Sequence, residues 1–514
     1  MTNMPYLRYG SAKGQQQMVT FGGLRYGRGG SDGEFSETLN LSSRQFPTLS
    51  QRGGRKKQAE YTSATALFAR NELVVVDGTS LIYGGETVGT VAAGEKLIAS
   101  VNSKIIVFPD KVYYDTQSGV FGSMEASVTG TSGQVTWTEN SLKITGQGDL
   151  SGKFAAGQAV EISGSSVAAN NKTAVIKGVT ADTLTFSDKT FTEEDESSSV
   201  TAARKVPDLV CICESANRLW GAAGDTIWAS ALGDPLTFYA YEGLATDSFA
   251  VAVGTSGEFT GCCAYSSNVL FFKENALHKV LGGMPSEYRV YDYTVPGVQH
   301  GSLKSMVVIN ETLFYKGVTG VYGYNGSTPA LISENFGIRR FQNASAGTDG
   351  QKYYISMQDV ETQAYSLFVF DPDTTVWLRE DATHVIDFAR QDTVLHFLNA
   401  ADGDIYIVEQ DDSQEGPFPW EALFYPFDET VFGKRGYSKI WVKVELDAGA
   451  WLKAEVSEDR GPFYQVGLWS NSRKESFTAA VFPGRCDTFQ LKLSGEGRCV
   501  IKSVLREFDV GSER

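Results

Sequence analysis

Four histidines, His278, His300, His384 and His396, are the side chains of this chain that could work as general bases near neutral pH. They fall in different stretches, without a paired base nearby in sequence. They read as packed or surface histidines. Six cysteines offer metal or redox chemistry: Cys211 and Cys213 alternate, Cys262 and Cys263 are adjacent, and Cys486 and Cys499 stand alone. No second C-x-C pair lies at finger spacing, so they read as free core thiols. Asp371 with Asp373, and Asp402 with Asp404, could ligate calcium through oxygen, and turn chemistry explains them equally well. The glycines of "FGGLRYGRGGSDGE" do not separate a strand from a helix and so do not form a phosphate cradle. There is no nucleophile elbow, H-E-x-x-H, P-loop or EF-hand loop. No cofactor or metal is expected. A basic run, "RQFPTLSQRGGRKK", remains: Arg44, Arg52, Arg55, Lys56 and Lys57 read either as a solvated linker or as an arm docking on an acidic neighbour in an assembly.

The elements that would hold such residues are hairpins. "NELVVVDGTSLIYGG" from Asn71 has relatives starting at Ser103, Asn217, Asn268, Glu311, Ser366 and Thr393. Most follow a small apolar strand such as "ATALFA", "DLVCICE" or "TGCCAY". A small inner strand followed by an aromatic hairpin is the rhythm of a β-propeller blade, here about seven. The hairpins are 27–55 residues apart, except between Ser103 and Asn217, where about 80 extra residues intervene. That insertion alternates like exposed strands, and its acidic run Glu193–Glu196 reads as a solvated return loop. After the seventh hairpin a Pro- and aromatic-rich connector leads into strongly alternating strands that suit a β-sandwich. The expected fold is all-β. Residues 1–60 form a basic docking arm, 61–122 and 206–412 the propeller, 123–205 an inserted β-domain, and 413–514 the connector and sandwich.

The charge is uneven. Of a formal −16, the first 57 residues carry nine basic against three acidic side chains, a net +6, which leaves −22 for the rest. An acidic body argues against gripping nucleic acid by its phosphates. No apolar run is long enough to span a membrane, and the N-terminus lacks the apolar core of a signal peptide. Synthesis in a cytoplasm without export by the usual route is the expectation.

"DGEFSETLNLSSRQFPTLSQRGGR" resembles the opening of tail hub or nozzle proteins of short-tailed bacteriophages. "NRLWGAAGDTIWASALGDPLTFY" is similar to that family's blade signature, and "PGRCDTFQLKLSGEG" to the last sandwich of related tail proteins. The insertion departs from the family and leaves its own role open. The resemblance implies a structural virion protein made in the host cytoplasm. It would form a hexameric ring below the portal and its adaptors, in the DNA ejection channel, with double-stranded DNA passing without specific binding. It implies no catalysis, so the chain is expected not to be an enzyme. Two alternatives stand beside it: a carbohydrate-binding or glycan-cleaving propeller for host recognition, and a distal-tail or baseplate protein of a long-tailed phage. A glycan-cleaving propeller would need a cleft of aromatics and paired carboxylates.

Overall fold

The computed structural model describes residues 12–27, 29–193, 198–410, 415–427, 434–470, 475–481 and 485–510. Its described residues are strands and turns, with helical structure confined to four three-residue 3-10 turns. Seven four-stranded antiparallel sheets follow one another as blades. Blade 1 has strands Ala64–Arg70, Glu72–Asp77, Ser80–Tyr83 and Glu86–Thr90, and blade 2 runs from Leu97–Val101 to Val120–Ser123. Blade 3 starts at Cys211–Ser215, blade 4 at Phe259–Tyr265, blade 5 at Val307–Ile309, blade 6 at Phe341–Thr348 and blade 7 at Val385–Gln391. The stretch similar to the hub family's blade signature, Arg218–Ala223 with Thr226–Ala229, is the middle of blade 3.

Local chemistry explains the repetition. The turn from first to second strand needs a left-handed residue, and Asn71, Asn102, Asn217 and Asn310 supply it at φ 58°, 53°, 57° and 46°. Asparagine tolerates that region better than other side chains with a Cβ, which is why Asn recurs in four of the seven blades, with Ser266 and Asp392 taking the role in blades 4 and 7 at φ 52° and 53°. The first strands carry the small residues. They pack on one another in chain order, with the turn Leu303–Ser305 between blades 4 and 6, and blade 7's first strand packs on blade 1's.

Blade 7 is completed by a strand from before blade 1. Gly54–Ala59 pairs antiparallel with Ile405–Gln410, so Lys56 faces Ile407 and Ala59 faces Ile405. The chain thus fastens the last blade with its own beginning, and an exposed sheet edge is covered.

The N-terminal segment also departs from a free docking arm. Two six-stranded sheets face each other over a core of Phe35, Trp420, Phe424, Val442, Leu491 and Val504. One sheet contains Ala12–Met18, Leu41–Ser42 and Leu49–Gln51, and the other contains Gly23–Leu24 and Glu34–Leu39. The remaining strands come from Pro419–Phe424 and from 435–510. Residues 12–59 are therefore sheet throughout most of their length, because buried Met18, Phe21, Leu24, Phe35, Leu41 and Leu49 supply the apolar face that the sequence reading undervalued. The sandwich is also continuous with blade 6. Val376 and Leu378 lie in its core, and Thr38 Oγ1 accepts from the Arg379 amide at 2.8 Å.

Between blades 2 and 3, strands from Ala126–Gly130 to Val200–Arg204 form two four-stranded sheets around their own core of Trp137, Leu142, Ile144, Phe154 and Val160. At their root Arg204 donates to the Met124 carbonyl at 2.8 Å and to Gln158 Oε1 at 2.6 Å. Of the acidic return loop, Glu194–Glu196 lie outside the described residues.

Candidate functional site

The closing strand Gly54–Ala59 brings the basic run against the acidic rim of blades 6 and 7. Arg52 is buried and forks onto Glu415, with Nη1 and Nη2 each 2.9 Å from a carboxylate oxygen, while its Nε donates to Asn40 Oδ1 at 2.8 Å. Its guanidinium also lies 4.0 Å from the Phe418 ring centroid. Arg55 bridges Glu380 and Asp381 at 2.7 Å each and donates to Thr383 Oγ1 at 3.0 Å. Arg44 pairs with Asp349, and Lys57 with Asp404 at 2.6 Å and Glu60 at 3.2 Å. Lys56 is half-buried on the same strand. The arm expected to reach a neighbouring molecule instead folds onto its own chain. The acidic partners of this run are Asp349, Glu380, Asp381 and Asp404 of blades 6 and 7 and Glu415 of the connector.

These contacts reshape the titration of the carboxylates. Burial alone would raise Asp381 and Glu415, but Arg55 and Arg52 outweigh it and hold both below the ordinary carboxylate range. Burial, aided by Asp402, pushes Tyr406 up to about 12.

Beside this network lies an open cleft of about 490 Å³, bordered by Arg55, Lys57, Glu60, Asn399, Tyr406 and Glu415. The Tyr406 ring stacks on Phe397 with centroids 5.4 Å apart and planes at 18°, and its hydroxyl donates to Asp402 at 2.7 Å. An aromatic face flanked by charged and amide groups can hold an amphipathic polyhydroxyl ligand, whose C–H face stacks while its hydroxyls bond.

A second cluster was invisible in sequence because it forms across strands. In blade 4, His278 stands opposite Asp292, and its Nδ1 is 2.5 Å from Asp292 Oδ1. Its Nε2 lies 2.9 Å from Thr255 Oγ1. A hydroxyl, an imidazole and a carboxylate in line are a relay arrangement, with the carboxylate orienting the ring. His278 is fully buried and edge-on to Phe259. His384 stacks on Tyr365 with centroids 3.5 Å apart, and burial lowers it. His396 is buried and likewise lowered by burial.

All six cysteines are free thiols. Burial pushes Cys262 well above its ordinary value beside Cys211 and Cys213, which suits packed thiols. Among the described residues, no group of three or more His, Cys, Asp or Glu is placed to hold a metal ion. Asp371 instead accepts from Ser43 at 2.7 Å and from the Asp373 and Thr374 amides in its own turn. Asp402 likewise accepts from the Asp404 amide at 3.0 Å. Among the described residues no helix is long and apolar enough to cross a membrane.

No protein-family model and no curated protein matches the chain. Solved structures do. An exo-β-1,3-galactanase from Phanerochaete chrysosporium is 8% identical over 56% of this chain and 92% of that one, at a TM-score of 0.23. The endosialidase of phage phi92 is 10% identical over 78% and 77%, at 0.27. PorZ, a surface component of the type-IX secretion system of Porphyromonas gingivalis, is 10% identical over 87% and 71%, at 0.29. The expectation that the chain is not an enzyme is corrected by these findings. Structures similar to it include two glycosidases, so the lack of a catalytic sequence motif does not stand as a reading of inactivity. At such identities and scores the likeness is one of fold alone: the chain is all-β, with the stacked small sheets of a β-propeller.

Proposed function

We propose that this chain is a bacteriophage tail protein of the hub or nozzle type, a ring subunit joined to portal and adaptor proteins. One observation carries the reading. The first of the three stretches that bear the hub resemblance, 32–55, leads from the sandwich to the strand that fastens blade 7. That part of the resemblance lies on the segment that joins the sandwich to the blades. Antibody labelling of particles of the encoding phage tests it. Label at the tail below the head supports the hub reading, and label absent from particles contradicts it.

A second reading has an observation of its own. The blade 7 cleft, with Tyr406 on its wall and Glu60, Asn399 and Glu415 around it, suits a glycan-binding or glycan-cleaving propeller used in host recognition. Glycan-array binding that is lost in Tyr406→Ala, with an unchanged melting temperature, supports it. No glycan signal from the folded full chain removes it.

A further inference from the structure

A cavity of about 210 Å³ lies at the seam of blades 5 and 6, away from the blade 7 cleft. Its inner wall is Val321, Phe341 and Met357, its cations are Lys316, Arg339 and Arg340, its hydroxyls are Thr319 and Ser333, and its one carboxylate, Glu334, is exposed. Lys316 ends the second strand of blade 5, Thr312–Lys316, and is 1% exposed. Its ammonium donates to Gln299 Oε1 at 2.7 Å and to the Gly317 carbonyl at 2.5 Å, both neutral acceptors. An ammonium has three donors, and among the described residues no carboxylate lies within ion-pair distance of this one. Arg340, exposed on the rim, adds its own positive charge and among the described residues donates to the Gly337 and Arg339 carbonyls, each at 3.0 Å. Ser333 Oγ accepts from the Val321 amide at 2.9 Å, which leaves its hydroxyl proton to donate.

The repeat supplies an internal control. In blade 4 the second strand Asn268–Lys273 also ends in a buried lysine. Lys273 donates to the Thr255 carbonyl at 2.6 Å, from the loop that enters its blade, as Gln299 does for Lys316. Lys273, however, also reaches Asp225 at 3.0 Å, in the hairpin turn of blade 3. One blade on, the corresponding turn offers Glu274, but its carboxylate accepts the His300 amide at 3.1 Å instead. The same lysine position has a counter-ion in one blade and a cavity in the next. A buried charge without a counter-ion is costly. Burial, aided by Arg340, accordingly draws Lys316 down to about 7.

We propose that the cavity at the seam of blades 5 and 6 is a binding site for a small oxyanion, held between Lys316 and Arg340 with Ser333 as a further donor. The anion would take the place that Asp225 fills for Lys273. Its size admits a phosphate or the carboxylate end of an acidic sugar, and these share the required chemistry. The inference rests on neither functional reading above.

The test is thermal melting and calorimetric titration of the full chain with inorganic phosphate and, separately, with glucuronate, each against sodium chloride of equal ionic strength. The melting temperature should climb with ligand concentration, as a ligand of the native state requires. Arg340→Gln, on the exposed rim, should weaken the apparent affinity about tenfold or more, the equivalent of one charge-assisted hydrogen bond, without moving the melt in chloride. Lys316→Met should abolish the response while the protein still melts cooperatively. A tighter response to phosphate assigns a phosphate source, and a tighter response to glucuronate assigns a sugar acid. No response beyond chloride, or a full response in both variants, overturns the proposal.

Discussion

Arg55 shows how far a single side chain can depart from its sequence reading. In a run of Gly, Lys and Arg it reads as solvated, yet it sits between Glu380, which is 1% exposed, and Asp381. Removing one partner of such a group leaves the others charged and buried, which costs about 3–5 kcal/mol. Arg55→Ala should therefore lower stability by that order in urea denaturation, and a midpoint equal to wild type would return Arg55 to a linker. The pH dependence has a definite sign. Asp381 and Glu415 sit below their ordinary values in the folded chain, so the unfolded chain binds more protons. Their contribution is present above about pH 4–5, where the unfolded carboxyls are ionised, and is lost as pH falls through the depressed folded values. Urea midpoints measured from pH 7 down to pH 3 should fall, with a shallower loss in Arg55→Ala. The relay Thr255, His278 and Asp292 and the lone charge of Lys316 lay beyond reach for another reason. Both depend on which strands pair and which turns meet across blades, although the lysine recurring in "FFK" and "FYK" was in plain view.

Elements were far more legible than sites. Small inner strands followed by aromatic hairpins place the repeats, because each signal is local. The fastening strand and the N-terminal half of the sandwich were not legible. The short strand Leu49–Gln51 joins the sheet only through Val500 and Ile501, far along the chain, and Leu41–Ser42 joins it only through Leu49–Gln51. Phe35 tests that assembly: it is fully buried and stacks near Phe424, with centroids 4.9 Å apart. Phe35→Ala should cost about 3–5 kcal/mol, whereas a residue on a free arm would cost nothing measurable. The insertion should behave oppositely. Ala126 and Arg204 are directly paired, so its two ends lie about 5 Å apart and a short Gly-Ser bridge can join Glu125 to Lys205. Deleting 126–204 should leave a soluble chain with one cooperative melt, followed by circular dichroism. Aggregation would show that the blades need the insertion.

On the scale of the whole molecule, one chain threads from sandwich to blade 7, around the blades, out to the insertion and back, and finally into the sandwich where it began. Strands from 12–51 and from 419–510 thereby share the same two sheets. The charge balance changes meaning with the fold. Much of the +6 of the first 57 residues is paired internally with Asp349, Glu380, Asp381, Asp404 and Glu415, and under the tail-hub proposal the remaining acidic excess would face passing DNA. Such an excess would repel a phosphate backbone rather than hold it. The most direct test of the tail-hub proposal is mass photometry of the full chain at low and physiological salt, alone and with the adaptor proteins encoded beside it. The account predicts a ring near six times the 55.9 kDa subunit, alone or on the adaptor. A particle that stays at the mass of one subunit under all four conditions would contradict it.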